Sequence, residues 1–163
     1  MSTTILFTEA QRAPRGLRIA SYWIAGGSAV FCILIWFVMR EIDPPMSTIE
    51  SALYFASTIG VPLALLLWFN NVTQTVTITD DTITVYQRGV HFRPKVIQRS
   101  DVERMSVRKL DAFGEFGGWG IRYGFNKKWG YVWGGKHALD LQMKDGKRIV
   151  ISIEDADTAR DIS

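Results

Sequence analysis

Two long apolar runs, Ile19–Met39 and Ser51–Phe69, contain no charged residue and are separated by only eleven residues. At about 1.5 Å per residue, each run would cover about 28–31 Å as a helix, close to the roughly 30 Å hydrocarbon core of a bilayer. A helix buried in the core of a 163-residue protein would still carry a polar stripe, and these runs have none. The pattern therefore predicts a transmembrane α-helical hairpin. The mean hydropathy of +0.06 conceals this, because it averages a very apolar first half with an ordinary charged second half.

The flanks of the runs predict an orientation. Arg12, Arg15 and Arg18 precede the first run against one acid, Glu9, whereas the connection carries Arg40 against Glu41, Asp43 and Glu50. Counting Lys and Arg in short flanks places both termini in the cytoplasm and the connection outside. The expected organisation is a cytoplasmic N-terminal segment at 1–18, spans at 19–39 and 51–69, an external loop at 40–50 and a cytoplasmic domain at 72–163. Pro44-Pro45 should force a tight extended turn in that loop. The first run is too long for a signal-peptide core and is followed by charges rather than a small-x-small cleavage site, so it reads as a signal anchor. Trp23, Trp36, Phe37, Trp68 and Phe69 fall near the ends of the spans, where amphipathic rings favour the headgroup zone. Pro62 predicts a kink in the second span. The absence of any ionisable side chain within the spans argues against an ion pathway. Cys32, the single cysteine, lies mid-span and reads as a packing residue.

From Asn70 onward the period changes from helical to two. Thr73–Thr79 and Ile83–Tyr86 alternate around an Asp80-Asp81 turn, which predicts a β-hairpin. Val90–Gln98 extends again, with Pro94 marking an edge or a bulge. Val102–Leu110 sets Met105 and Val107 against Arg104, Ser106 and Arg108. Beyond a glycine-rich stretch, Trp119–Phe125 alternates Trp119, Ile121, Tyr123 and Phe125, the pattern of one core-facing strand. Trp129–Trp133 follows, and Ala138–Met143 turns at Lys144-Asp145-Gly146 into Arg148–Ile153. Ser152 followed by Asp155, with Ala156, Ala159 and Ile162 at helical spacing, predicts a short terminal helix. The soluble part thus reads as a mainly β (α+β) domain of seven or eight antiparallel strands. No βαβ alternation suggests a parallel nucleotide-binding sheet.

Two groups of short antiparallel strands closed by a C-terminal helix follow the plan of the pleckstrin-homology-like barrel. The segment Phe116-Gly117-Gly118-Trp119-Gly120-Ile121-Arg122, then Trp129-Gly130-Tyr131, the Leu139–Met143 strand and Asp145-Gly146-Lys147 resemble the later half of bacterial PH-like domains. Those domains occur in uncharacterised membrane proteins and commonly follow a two-span hairpin. The resemblance covers about Val72 to the end. It implies a PH-like barrel in a multi-pass protein of the bacterial inner (plasma) membrane, and no established ligand.

Between Val72 and Ile153 stand fourteen basic and eight acidic residues. A basic domain tethered beneath an anionic leaflet gains about 1 kcal/mol per well-placed cation. Arg88, Arg93, Lys95, Arg104, Arg108, Lys127 and Lys128 are the candidate headgroup or partner contacts, with Arg99 and Lys109 also basic in that region. Asp80-Asp81 would repel phosphates at the first hairpin's loop, against phosphoinositide recognition of the eukaryotic kind. Arg122 should pair with a carboxylate such as Asp140 or Glu115. The glycines at 117, 118 and 120 lack a following Gly-Lys-Ser/Thr, so they predict a bend and not a phosphate cradle. His91 and His137 have no metal-ligand spacing, and no catalytic constellation, metal site or cofactor is expected. A membrane anchor argues against nucleic acid as a partner. The expected function is a non-enzymatic binding or scaffold module engaging the bilayer, a protein partner or another copy of itself, with anionic lipid as a secondary contact. The alternatives are an oligomeric small channel or transporter component, with Gly26-Gly27-Ser28 and Ser57–Gly60 allowing close helix approach, and an enzyme acting on lipid.

Overall fold

The computed structural model describes residues 4–41, 46–90, 93–124 and 128–162. The Pro44-Pro45 turn, His91, Phe125 and Lys127 lie outside the described residues. The chain divides into a helical unit, Arg15–Asn71, and a β unit made of residues 1–14 together with residues 72–163.

The helical unit holds two helices long and apolar enough to cross a membrane. The first is α1, Arg15–Met39. The second comprises α2 (Thr48–Phe55), a π-turn at Ala56–Gly60 and α3 (Val61–Asn71). Ser47 starts it with a capping box in which Ser47 Oγ accepts from the Glu50 N–H and Glu50 accepts from the Ser47 N–H. The π-turn sits just ahead of Pro62, whose ring has no N–H and would crowd the carbonyl of Thr58. Widening the turn, so that the Val61 N–H reaches Ala56 O, relieves that conflict. Ser57 and Thr58 donate their hydroxyls to Tyr54 O, and Tyr54 donates its own to Cys32 O at 3.0 Å, tying the second helix to the first. Neither α1 nor α3 has a single buried residue. A Cβ added at Gly26, Gly27 or Gly60 would meet nothing within 4 Å, so these glycines do not serve close approach inside the hairpin.

Among the described residues the β unit has nine strands in two sheets. Sheet one has the order β1 (Ile5–Arg12), β2 (Thr73–Thr79), β3 (Thr82–Arg88), β4 (Lys95–Gln98). Sheet two has the order β5 (Val102–Lys109), β8 (His137–Met143), β9 (Arg148–Ile153), β7 (Lys128–Val132), β6 (Gly120–Gly124). Eight of the nine strands fall in 72–163, as the alternation predicts, and both predicted hairpins form. The arrangement differs from the expected one in three ways. The sheets do not close into a barrel, β7 pairs with β9 in parallel, and β1 is an additional strand.

The parallel pair arises because the chain leaving β7 passes β9 before entering β8. Gly134 and Gly135 permit that crossing, since a Cβ at Gly135 would lie 2.2 Å from Ile153 O and one at Gly134 2.9 Å from Arg12 O. The inward faces of the sheets form one core, with Phe7, Val76, Ile78, Ile83, Val85 and Ile97 opposing Leu139, Leu141, Ile149, Ile151 and Ile153. Each such side chain contributes about 1.5–3 kcal/mol by leaving water. A second cluster lies on the opposite side of sheet two, where Phe116 covers Val132, Ala138 and Val150. Phe116 belongs to the short helix α4, Ala112–Phe116. Its ring rests on Gly130, where a Cβ would come within 2.6 Å.

The terminal helix forms as α5, Ala156–Arg160, but its cap is Asp155, which accepts from the Thr158 N–H, and not Ser152. Ser152 is buried and serves the interior instead.

Candidate functional site

The six predicted contact residues that lie among the described residues fall into two groups. Arg88, Arg93 and Lys95 belong to the β3–β4 connection, where all three are exposed. Strand register gathers more charge at that end of sheet one: Arg12 pairs with Thr73, and Thr73 pairs with Arg88. Arg12 and Thr73 flank the helical segment, which begins at Arg15 and ends at Asn71. No carboxylate lies within ion-pair distance of Arg12, Arg88, Arg93 or Lys95 among the described residues.

Arg104, Arg108 and Lys128 lie instead on the outer side of sheet two, and two of them are engaged. Asp140, 4% exposed, projects from β8 and accepts from Arg108 Nε and from Arg148 Nε at 2.5 and 2.6 Å. Arg108 also grips Glu115 with both terminal nitrogens, at 2.6 and 2.7 Å. Lys128 Nζ approaches the same carboxylate at 3.6 Å. Burial pushes the Asp140 carboxyl up, but hydrogen bonds from Arg148 and Arg108 outweigh it and hold it below the usual carboxylate range. Glu115 is held low chiefly by its hydrogen bonds from Arg108, against a desolvation penalty. Arg108 and Lys128 thus serve a structural cluster that fastens α4 over sheet two. Arg104, exposed beside it, lines a hollow of about 190 Å³ with Ser106, Gln142, Arg148 and Asp140. Arg122 does not take either carboxylate; its Nε donates to Trp119 O.

The aromatic alternation is also redistributed. Gly118 and Gly120 adopt φ of 128° and 109°, conformations that favour glycine, and they break the strand's parity. Trp119 therefore packs on the Phe116 cluster while Ile121 joins the main core. Tyr123 and Trp129, cross-strand partners with ring centroids 5.2 Å apart, share the face of Ile121 and Tyr131 but are 61% and 42% exposed. They form an uncovered apolar ledge at the free edge of sheet two.

Sequence reasoning missed a buried polar network joining the sheets. Gln11, Gln74, Gln87 and Ser152 are all buried. Gln87 donates to Gln74 Oε1 at 2.6 Å, Gln74 donates to Ser152 Oγ at 3.1 Å, and Ser152 donates to Gln11 Oε1 at 2.9 Å. The Trp133 N–H closes on Ser152 Oγ, and the Trp133 indole donates to Val72 O at 3.1 Å. The available signal was parity: Gln74 continues the inward row of Val76 and Ile78, and Gln87 that of Ile83 and Val85. Glu9, also in β1, accepts from the backbone N–H groups of Glu154 and Asp155, fastening β1 to the start of α5.

No cluster of His, Cys, Asp and Glu suited to a metal occurs among the described residues. Comparison with protein-family models, curated proteins and solved structures finds no match.

Proposed function

We propose that the chain is a multi-pass protein of the bacterial inner membrane whose hairpin spans the bilayer, both termini being cytoplasmic. Its β unit, of PH-like plan, is a non-enzymatic binding or scaffold module at the cytoplasmic surface. One observation carries this reading: the helical segment is inserted between β1 and β2, two strands that pair side by side. Only two residues join β1 to α1, and one joins α3 to β2. An antiparallel pair requires the chain to leave and return at one place, which suits two crossings and opposes one. The cations at that end of the sheet, Arg12, Arg88, Arg93 and Lys95, suit an anionic leaflet as secondary contacts. With such short joints the module stays at the surface at high effective concentration.

The uncovered Tyr123–Trp129 ledge supports a protein partner or a second copy as the principal contact. A reporter fused after Ser163 should be cytoplasmic; an external reporter would sink the topology and the headgroup contacts together. Crosslinking in native membranes from a photoreactive residue at Tyr123 should yield a discrete adduct that Trp129→Ala diminishes. Absence of any adduct would refute the ledge as the contact.

A further inference from the structure

We infer that the hairpin carries a binding site for one anionic phospholipid, with an acyl chain in the groove between α1 and α3 and the headgroup phosphate on Arg18. The inference rests on the membrane-spanning reading above. Ser21, Ala25 and Ser28, spaced so as to share one face of α1, oppose Pro62, Leu66 and Phe69 on α3. The small side chains on one wall and the proline ring on the other leave an elongated apolar groove of about 410 Å³, with Trp68 also in its lining. Ser21 and Ser28 donate their hydroxyls to carbonyls of their own helix, Arg18 O and Ala25 O, so neither presents an unsatisfied donor to the groove.

A cation lies one helical turn beyond the lining residue Ser21. Arg18 precedes Ser21 by three residues and so continues the same face of α1. Its Nε donates to Asn70 Oδ1 at 3.3 Å, and Asn70 is fixed in turn by donating to Leu66 O at 2.8 Å. Asn70 is neutral, and no carboxylate lies within ion-pair distance of Arg18 among the described residues. A half-buried guanidinium ordinarily has an anionic partner. Here its position one turn beyond an apolar groove, beside Asn70, which follows the lining residue Phe69, suits a molecule with a hydrocarbon tail and a phosphate head. A second copy of this hairpin fits poorly in the groove. Aligned in the same sense, it would bring its own Arg15 and Arg18 to the same depth, adding like charge where a negative one is wanted.

The test reconstitutes the full chain in phosphatidylcholine vesicles doped with brominated-tail phosphatidylglycerol or brominated-tail phosphatidylcholine at equal mole fraction. Trp68 is read as the difference between the protein and its Trp68→Phe variant. We expect brominated phosphatidylglycerol to associate with Trp68 about fivefold more strongly, the ratio that one interfacial charge contact provides. Arg18→Gln should reduce the ratio to about one and Arg18→Lys should preserve most of it. Ala25→Leu, which fills the groove and keeps the charge, should weaken quenching of Trp68 by both lipids. Equal quenching by both lipids in the unaltered protein would overturn the site while leaving the hairpin in the bilayer. No quenching of Trp68 by either lipid, with the other span tryptophans quenched, would show the groove filled by protein and would also overturn it. If no tryptophan of the spans is quenched, the membrane-spanning reading itself fails.

Discussion

The two units of this chain use apolar residues in opposite ways. In the β unit Ile78, Ile83, Leu139, Leu141, Ile151 and Ile153 are withdrawn from the surface. In the helical unit Ile24, Phe31, Leu34, Leu65 and Leu67 point outward, and neither α1 nor α3 buries one residue. Water rewards the first arrangement and penalises the second, since exposed apolar patches beyond a few hundred Å² are uncommon on soluble monomers. One polypeptide therefore carries two contrasting surfaces, and the change falls within one or two residues at each joint. The polar groups follow the same division. The β unit buries a glutamine–serine network and an ion cluster, both hydrogen-bonded. In the helical unit Ser21, Ser28, Ser57 and Thr58 donate their hydroxyls to carbonyls of their own helices, an arrangement that suits the proposed bilayer setting.

The contrast can be broken by matched truncations. Leu139→Ala should destabilise the β unit by about 2–5 kcal/mol, the range for a fully buried leucine. Leu65→Ala, at a position 58% exposed, should leave the denaturation midpoint of the β unit unchanged. Equal effects in urea titrations of the micelle-solubilised protein would show that the two units do not fold on separate terms.

Asp140→Asn should cost about 2–4 kcal/mol, because Arg108 and Arg148 lose their shared carboxylate while remaining partly accessible to water. The effect has a pH signature. Asp140 and Glu115 are held below the ordinary carboxylate range in the folded state, so their contribution is complete above the unfolded-state values of about 4. It is lost as pH falls through the lowered folded-state values. The thermal midpoint of the unaltered β unit should therefore drop below about pH 4, and Asp140→Asn should flatten that drop.

Gln74→Ala should cost about 1–3 kcal/mol by leaving buried partners of the network unsatisfied. Gln74→Leu, of similar volume, tests whether the hydrogen bonds or the packing matter. A smaller effect is expected from Asp155→Ala, which removes the cap of a helix only five residues long. Faster amide exchange in α5 with little change in the global midpoint would be its sign.

The apolar runs and the Thr73–Tyr86 and Ala138–Ile153 hairpins were legible because periodicity in those stretches is uninterrupted. β1 was not. Its inward face reads Phe7, Glu9, Gln11, and two of these three are polar, so alternation carries no apolar signal. They fit because Ser152 and the start of α5 supply partners far along the chain. The spatial grouping of the candidate contact residues was not legible either, for a related reason. Charge composition locates cations in sequence, whereas register sets Arg88 beside Thr73 and Arg12, and the fold commits Arg108 to two carboxylates. The parity of Trp119 failed because two glycines with positive φ reset it.

The insertion of the helices between β1 and β2 also bears on how the protein is made. β1 emerges first and must wait until about 60 further residues have been synthesised before its neighbour exists. Closing that loop from a disordered chain would cost about 3–4 kcal/mol, a cost already met once the two helices stand side by side. On the proposed topology, a chain in which only one helix had inserted would leave β1 and β2 on opposite sides of the bilayer. The glutamine network and the carboxylate clasp on α5 could then never form. On that topology, completion of the sheet would require both crossings, and a wrongly threaded chain would leave β1 without its neighbour.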